Sequence, residues 1–580
     1  MLEKFLLYLI KPSHYDDDGY VIQWMRSAIP SNTLAVLHGL ALDCRVRHVL
    51  GEAVDLEIHA IDETNTRIRP ERLARAIAEN GGRGLVALVG VQSNQFPHAM
   101  DIARRLRAGG APVAIGGFHV SGCLAMLPET PDDLKEAQAL GVSLFAGEAE
   151  GRFEMVLRDA YAGQLKPLYN FMNDLPGIEG APMPMLPASS VKRTGGVVTS
   201  FDAGRGCPFQ CSFCTIINVQ GRKSRYRTPD DVEAIIRANL AQGIDHFFIT
   251  DDNLARNKNW EPMFDRLIAI RQAENLKFNF VIQVDTLCHR IPNFIEKAAA
   301  AGVRRVFIGL ENINPESLVG AKKKQNRIAE YRAMLLQWKK VGCFTYAGYI
   351  LGFPADTPET ILRDIKIIQR ELPLDLLEFF CLTPLPGSED HKKLTLSGTA
   401  MDPDMNKYDL EHVVTGHAIM SKRDWERAYR MAWEAYYTPE HMETIMRRAV
   451  ATGISPGKMM FLLIWFYGCV TIEKIHPLEG GYLRRKVRRD RRPGMPIEHP
   501  LIFYPKYFFS LVAKHVAIAR IVWRMGAVRR AIKRDPDARN YMDQAMTPVT
   551  DEELDGLEMF NVTTSARAAA DKAKKRLAAV

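Results

Sequence analysis

The stretch "GCPFQCSFCTI", residues 206–216, places Cys207, Cys211 and Cys214 in a C-x3-C-x2-C spacing. Four ligands would close a tetrahedral zinc site. Three thiolates leave it one short, and neither His246 nor His289 stands at a local spacing that completes it. A ferredoxin needs C-x2-C spacing and a remote fourth cysteine. On a four-iron cluster, three thiolates leave one iron without a protein ligand. That vacancy can bind a small molecule through an amine and a carboxylate, which makes the cluster a reagent rather than a wire.

The cysteine loop follows the first of six strand-like runs between about 195 and 390: "GGVVTSFDAGRGC", "DHFFITDDN", "KFNFVIQVD", "RRVFIGLEN", "FTYAGYILGFP" and "LLEFFCLTPLPG". Each ends in polar or glycine residues, and helical segments separate most of them. Six βα units predict a partial, TIM-like (βα)6 barrel with its chemistry at the carboxyl ends of the strands. Upstream, "LVALVGVQ" (85–92), "HAMDIARRLRAGG" (98–110) and "PVAIGGFHV" (112–120) read as strand, helix and strand on a Rossmann-like parallel sheet. The proline-rich "DLPGIEGAPMPMLP" (174–187) can continue neither a helix nor a central strand. The expected organisation of this α/β chain is therefore a Rossmann-like domain at 1–175 and a linker at 176–194. A barrel at 195–395, a helical carboxyl-terminal domain at 396–545 and a weakly anchored tail at 546–580 follow.

Composition agrees with a large globular protein: 580 residues, 47% hydrophobic, 25% charged and a formal charge of +8. That charge is small for the length and does not point to nucleic acid. Nine cysteines, three of them crowded together, exclude a secreted disulfide framework. "MLEKFLLYLIKPSHYDDDGY" (1–20) reads as a buried first strand rather than a signal peptide. With no apolar run of 18 or more residues, the sequence predicts a cytoplasmic location, with membrane association left to its carboxyl-terminal region.

"CPFQCSFC" resembles the motif of the radical S-adenosylmethionine (SAM) superfamily, down to the aromatic Phe213 before the last cysteine. The resemblance implies that Cys207, Cys211 and Cys214 hold a 4Fe-4S cluster whose open iron binds SAM. It also implies further cofactor contacts at the strand ends: Asp251 and Asn253 of "TDDN", Glu311 of "GLEN", and Gly348 and Gly352 of "GYILGFP". A βα domain ahead of such a barrel, closing with "GEAEG" (147–151), resembles the cobalamin-binding domain of one large subgroup. Cobalamin contacts are then expected at Ser93 in "VQSNQ" and at Gly116 and Gly117 in "GGFHVSG". The D-x-H-x-x-G motif that supplies a cobalt-ligating histidine is absent, and His119 lacks its context.

The activity implied is methylation of an unactivated carbon, started by a 5′-deoxyadenosyl radical. The alternatives are radical cyclisation or rearrangement without methyl transfer, and a non-catalytic cofactor- or lipid-binding protein with a structural cluster. Cys288, Cys343 and Cys381 read as small buried hydrophobes. The partners expected are a small-molecule substrate and an electron donor such as flavodoxin or ferredoxin. Finally, "MMFLLIWFYGCV" (459–470), "LRRKVRRDRR" (483–492) and the aromatic, basic segment 504–534 form a region suited to a membrane interface. A lipid or isoprenoid substrate would follow from that placement. The competing reading of the same region is a helical cap over the barrel.

Overall fold

The computed structural model describes residues 3–548 and 556–577. Two six-stranded, all-parallel sheets carry the architecture. The first is built from β1 (Glu3–Lys11), β3 (Val54–Asp62), β4 (Gly84–Leu88), β5 (Val113–Gly116), β6 (Ser143–Ala146) and β7 (Leu168–Asn170), in the order β3-β1-β4-β5-β6-β7. β1 is apolar without interruption because helices cover both faces: Phe5, Leu7, Leu9 and Ile10 are fully buried. The chain leaves β1 to one side for β3 and returns on the other for β4. The winding therefore reverses between β1 and β4, and a crevice opens beyond their carboxyl ends.

The second sheet takes β8 (Val198–Phe201), β11 (His246–Ile249), β12 (Asn279–Val284), β13 (Val303–Glu311), β14 (Phe344–Leu351) and β15 (Leu376–Cys381) in unbroken sequence. β15 does not pair with β8, so the six βα units form a partial barrel. Two antiparallel ribbons complete the strands. β9 (Gly204–Arg205) pairs with β10 (Arg225–Tyr226), and β2 (Gln23–Ser27) pairs with β16 (Gly481–Arg485).

Helices after 400 pack on the β15 side. On Lys422–Tyr436 the side chains of Trp425, Trp433 and Tyr436 are buried, with Trp433 edge-on to Phe379 of β15. Two expectations for the carboxyl-terminal region change. The apolar run 459–470 lies largely on the helix Pro456–Gly468, where Met459 and Leu463 are fully buried in the barrel's core cluster, so it caps rather than meets a bilayer. Much of the basic run 483–492 is paired at home: Arg484 with Asp16, Lys486 with Asp16 and Asp18, Arg492 with Asp404. The helix Pro500–Arg534 keeps a large apolar surface in solvent.

The stretch after 546 also differs from a weakly anchored tail. Leu557, Met559 and Phe560 are buried, and Glu371 accepts backbone hydrogen bonds from Glu558 (2.7 Å) and Met559 (3.1 Å). At about 1.5–3 kcal/mol per buried large apolar side chain, three such anchors outweigh the ordering of one short turn. Residues 549–555 and 578–580 lie outside the described residues.

Candidate functional site

The cysteine loop rises from the β9–β10 ribbon. Gly206 sits at φ +89°, and a Cβ there would lie 2.4 Å from the Lys223 carbonyl, so only glycine lets the two strands close the loop. Cys207 N–H donates to Gly221 O at 3.2 Å, and Gln325 Nε2 donates to the Cys211 sulfur at 3.4 Å. Burial pushes the Cys207 thiol up and the Cys214 thiol up to about 12, and the nearby Cys211 adds to both. Thiols held neutral in this way gain most from a cationic group between them. Among the described residues no three His, Cys, Asp or Glu side chains converge as one metal ion requires.

At the strand ends the structure redistributes the expected contacts. Asp251 is engaged by the protein itself: Oδ1 accepts from Ala203 N and Gly204 N at 2.8 Å each, and Oδ2 from Asn257 Nδ2 at 2.9 Å. Asn253 is likewise engaged, donating to Asp285 Oδ2 at 2.9 Å and accepting from Asp285 N at 3.3 Å. Asp251 thereby fastens the second strand's end to the base of the cysteine loop. Asp252, between them, lies near enough for its charge to contribute to raising both Cys207 and Cys214, and Asp285 adds to the first. Burial and then the Asp251 charge push the Asp252 carboxyl up to about 7.

Glu311 stands at φ +62°, after a register shift between Ile308 and Glu311 that re-aims the end of β13. Its carboxylate pairs with Lys323, whose ammonium also lies 5.8 Å from the centre of the Phe213 ring. A Cβ on Gly309 would come within 2.9 Å of both partners, so that glycine makes room for the pair. Phe213 packs with Ala321, Ile350, Phe353, Phe380 and Leu382 in a small apolar cluster beside the loop. Gly348 faces the same side, where a Cβ would meet Phe307 and Phe380. Gly352 has a different reason for being glycine. It sits at φ +103°, and a Cβ would fall 1.8 Å from the Trp425 ring, so packing alone already demands it. Lys323, Gln325 and Asp252 escaped sequence reasoning, because "KKKQN" reads as a solvated loop and "TDDN" does not say which aspartate acts on the cysteines.

Two cavities lie beyond the carboxyl ends of the first sheet. One, of about 170 Å³, is lined by Gly116, Gly117, Glu148, Glu150, Arg205 and Gln220 among others. The second, of about 400 Å³, sits at the β1/β4 reversal and is lined by His14, Ser93, Asn94, Asp409 and Glu479 among others. Asn32, Thr33 and Gly90 line both. Asn32 Oδ1 and Gln220 Oε1 are buried without hydrogen-bond partners, two unmet acceptors in the walls. A corrin carries peripheral carboxamides that donate to such acceptors, so the lining fits that group. Ser93 hydrogen-bonds His119 Nδ1 at 3.1 Å, and Asp133 holds His119 Nε2 at 2.9 Å. Both ring nitrogens of His119 are thus engaged. Burial pushes His14 down to about 4, and Glu479 up to about 8.

Residues 203–368 match the radical SAM superfamily. That stretch of the chain is a radical SAM domain. It covers the cysteine loop and the strands β9 through β14. Over 346 residues the chain is 27% identical to bacteriochlorophyllide d C-8(2)-methyltransferase of Chlorobaculum tepidum, covering 56% of this chain and 72% of that protein. It is 22% identical to hopanoid C-2 methylase of Rhodopseudomonas palustris, over 77% of this chain and 85% of that one. The fold is similar to that of TsrM, a radical S-adenosylmethionine methyltransferase from Kitasatospora setae solved with cobalamin and a 4Fe-4S cluster bound. The TM-score is 0.52 at 17% identity, covering 73% of this chain and 85% of that one.

Proposed function

We propose that this radical SAM enzyme methylates an unactivated carbon of a small molecule with the help of cobalamin. The observation that carries the reading is the placement of the cysteine loop against the crevice of the first sheet, where Arg205 and Gln220 of the radical SAM domain form part of the cavity wall. Cys207, Cys211 and Cys214 would hold the cluster, with Gln325 donating to the Cys211 sulfur. Glu311, Lys323 and the apolar surface of Phe213 would hold SAM, Lys323 offering its ammonium to a carboxylate. The crevice walls, from Gly90 and Gly116 to Gln220, would take cobalamin. When bound, the cluster and SAM supply a 5′-deoxyadenosyl radical, and cobalamin supplies the methyl group. Burial disfavours the charged forms of His14 and Glu479, while Lys11 and Asp409 also line the larger cavity, so it offers a substrate polar as well as apolar contacts. The relatives named as methyltransferases support this reading.

An electron donor of the flavodoxin or ferredoxin kind is the partner this chemistry needs. The helix Pro500–Arg534 is proposed to rest on an anionic bilayer and to take a lipid or isoprenoid substrate from it. No helix among the described residues is long and apolar enough to cross a membrane.

Product analysis of the anaerobically reconstituted enzyme with membrane lipid extract tests the reading. Methylation yields both 5′-deoxyadenosine and S-adenosylhomocysteine. The first without the second would mean rearrangement or cyclisation, and neither product would leave a binding protein.

A further inference from the structure

Within the β9–β10 ribbon beneath the cysteine loop, Arg205 pairs directly with Arg225. Two guanidiniums side by side repel each other. The anion that holds them together comes from the other sheet's loop. Glu148, just after β6, accepts from Arg205 Nη1 at 2.5 Å and from Arg225 Nη1 and Nη2 at 2.7 and 2.5 Å. Glu150 accepts from Arg205 Nη1 and Nη2 at 3.0 and 2.5 Å, and Asp202 accepts from Arg205 Nε at 2.9 Å. The side chains of Glu148, Glu150 and Arg205 are no more than 9% exposed. In such a setting a complete network is rigid, and removing one partner leaves charge stranded. Arg225 Nη2 reaches on to the Gln220 carbonyl at 2.9 Å, at the far end of the cysteine loop.

Glu148, Arg205 and Gln220 also line the smaller cavity. One carboxylate therefore both fixes the base of the cysteine loop and forms a wall of the crevice. We propose that Glu148 is a positioning residue that couples the two sites: a ligand filling the crevice tightens the cysteine loop, and an assembled cysteine site pre-shapes the crevice. This inference rests on the cobalamin reading above. Coupling of this kind is reciprocal, so each group strengthens the binding of the other by the same factor.

The test uses full-length protein and hydroxocobalamin as the probe. Its affinity is measured on cluster-loaded wild type and on the Cys207→Ala, Cys211→Ala, Cys214→Ala triple variant, which cannot hold the cluster. The loaded protein is expected to bind at least about fivefold more tightly, the lower end of ordinary coupling. In Glu148→Gln the cluster-dependent difference should vanish, while Glu148→Asp should keep part of it. Equal affinity in loaded wild type and the triple variant, or an undiminished ratio when Glu148→Gln is added to both, overturns the proposal. Should Glu148→Gln fail to fold, the reciprocal measurement on wild type decides. Hydroxocobalamin should raise by a similar factor the concentration of a ferrous chelator that removes half of the iron at equilibrium, and an unchanged midpoint overturns the coupling. If iron is held but hydroxocobalamin binds to neither form, the cobalamin reading itself fails and the coupling with it.

Discussion

Gln325 donates its side-chain amide to the sulfur of Cys211 at 3.4 Å, across 114 positions of sequence. A hydrogen bond to a cluster sulfur stabilises the reduced, more negative state and so raises the reduction potential. Gln325→Leu removes the donor while keeping the volume. The cluster should still assemble, with its potential lowered by a few tens of millivolts, since a bond of about 1 kcal/mol corresponds to roughly 40 mV for one electron. A redox titration followed by paramagnetic resonance reads this directly. An unchanged potential would mean that the amide does not act on the cluster.

Cobalt in this protein should carry no imidazole nitrogen. His119 has both ring nitrogens engaged, by Ser93 and Asp133. Among the described residues lining the two cavities, His14 is the one histidine, and its Nε2 lies 3.3 Å from Glu479. The reduced Co(II) form should show no nitrogen splitting in its paramagnetic resonance spectrum. A triplet pattern that disappears in His14→Ala would assign that residue as a ligand and refute the expectation.

Acid should loosen the segment that carries Lys323 and Gln325 toward the cluster. Glu330, just beyond it, accepts from Arg290 at 2.5 Å through both carboxylate oxygens. Burial alone would raise this carboxyl from 4.5, but the bonds from His289 and Arg290 prevail and hold it at about 2. A carboxyl with a depressed folded pKa contributes stability above its unfolded pKa and loses it as pH falls through the folded value. Glu330→Gln should therefore cost about 2–3 kcal/mol at pH 7 and progressively less from pH 4.5 down to 2. Denaturant unfolding at several pH values checks it, and a cost independent of pH would contradict the assignment.

The helix Pro500–Arg534 should bring the protein to anionic vesicles. Leu501, Phe508, Phe509 and Trp523 are 61–78% exposed on it, and Arg520 and Arg524 are exposed beside them. Basic residues near an anionic surface contribute about 1 kcal/mol each, and salt screens them. Sedimentation with anionic vesicles should fall as salt rises. It should fall more than about tenfold in the Phe508→Asp, Phe509→Asp double variant, since each buried phenylalanine is worth about 2 kcal/mol. Indifference to vesicles at low salt, with dimers forming instead, would make the helix an interface between copies.

The first parallel sheet was legible because short continuous apolar runs such as "FLLYLI" and "LVALV" recur between helical periods, as strands covered on both faces do. The cysteine spacing likewise named its own chemistry. What stayed hidden depends on long-range pairing. Nothing local says that Asp251 fastens the loop while the neighbouring Asp252 acts on the cysteines through its charge, or that a lysine at 323 in a charged loop is drawn in by Glu311. Gly352 shows the same limit: its sequence context does not reveal that a tryptophan 73 residues later leaves no room for a side chain there. The basic run 483–492 looked available to a membrane because its partners, Asp16, Asp18 and Asp404, lie far away in sequence.

Metal content tests the central claim most directly, because the two proposed sites use different metals in separate places. Protein prepared anaerobically with iron, sulfide and hydroxocobalamin should hold about four irons and one cobalt per chain. The Cys207→Ala, Cys211→Ala, Cys214→Ala triple variant should lose the iron and all cleavage of SAM, keep its fold, and still take up cobalt at higher cobalamin concentration. Four irons retained in the triple variant, or wild type that takes up no cobalt, would contradict the account.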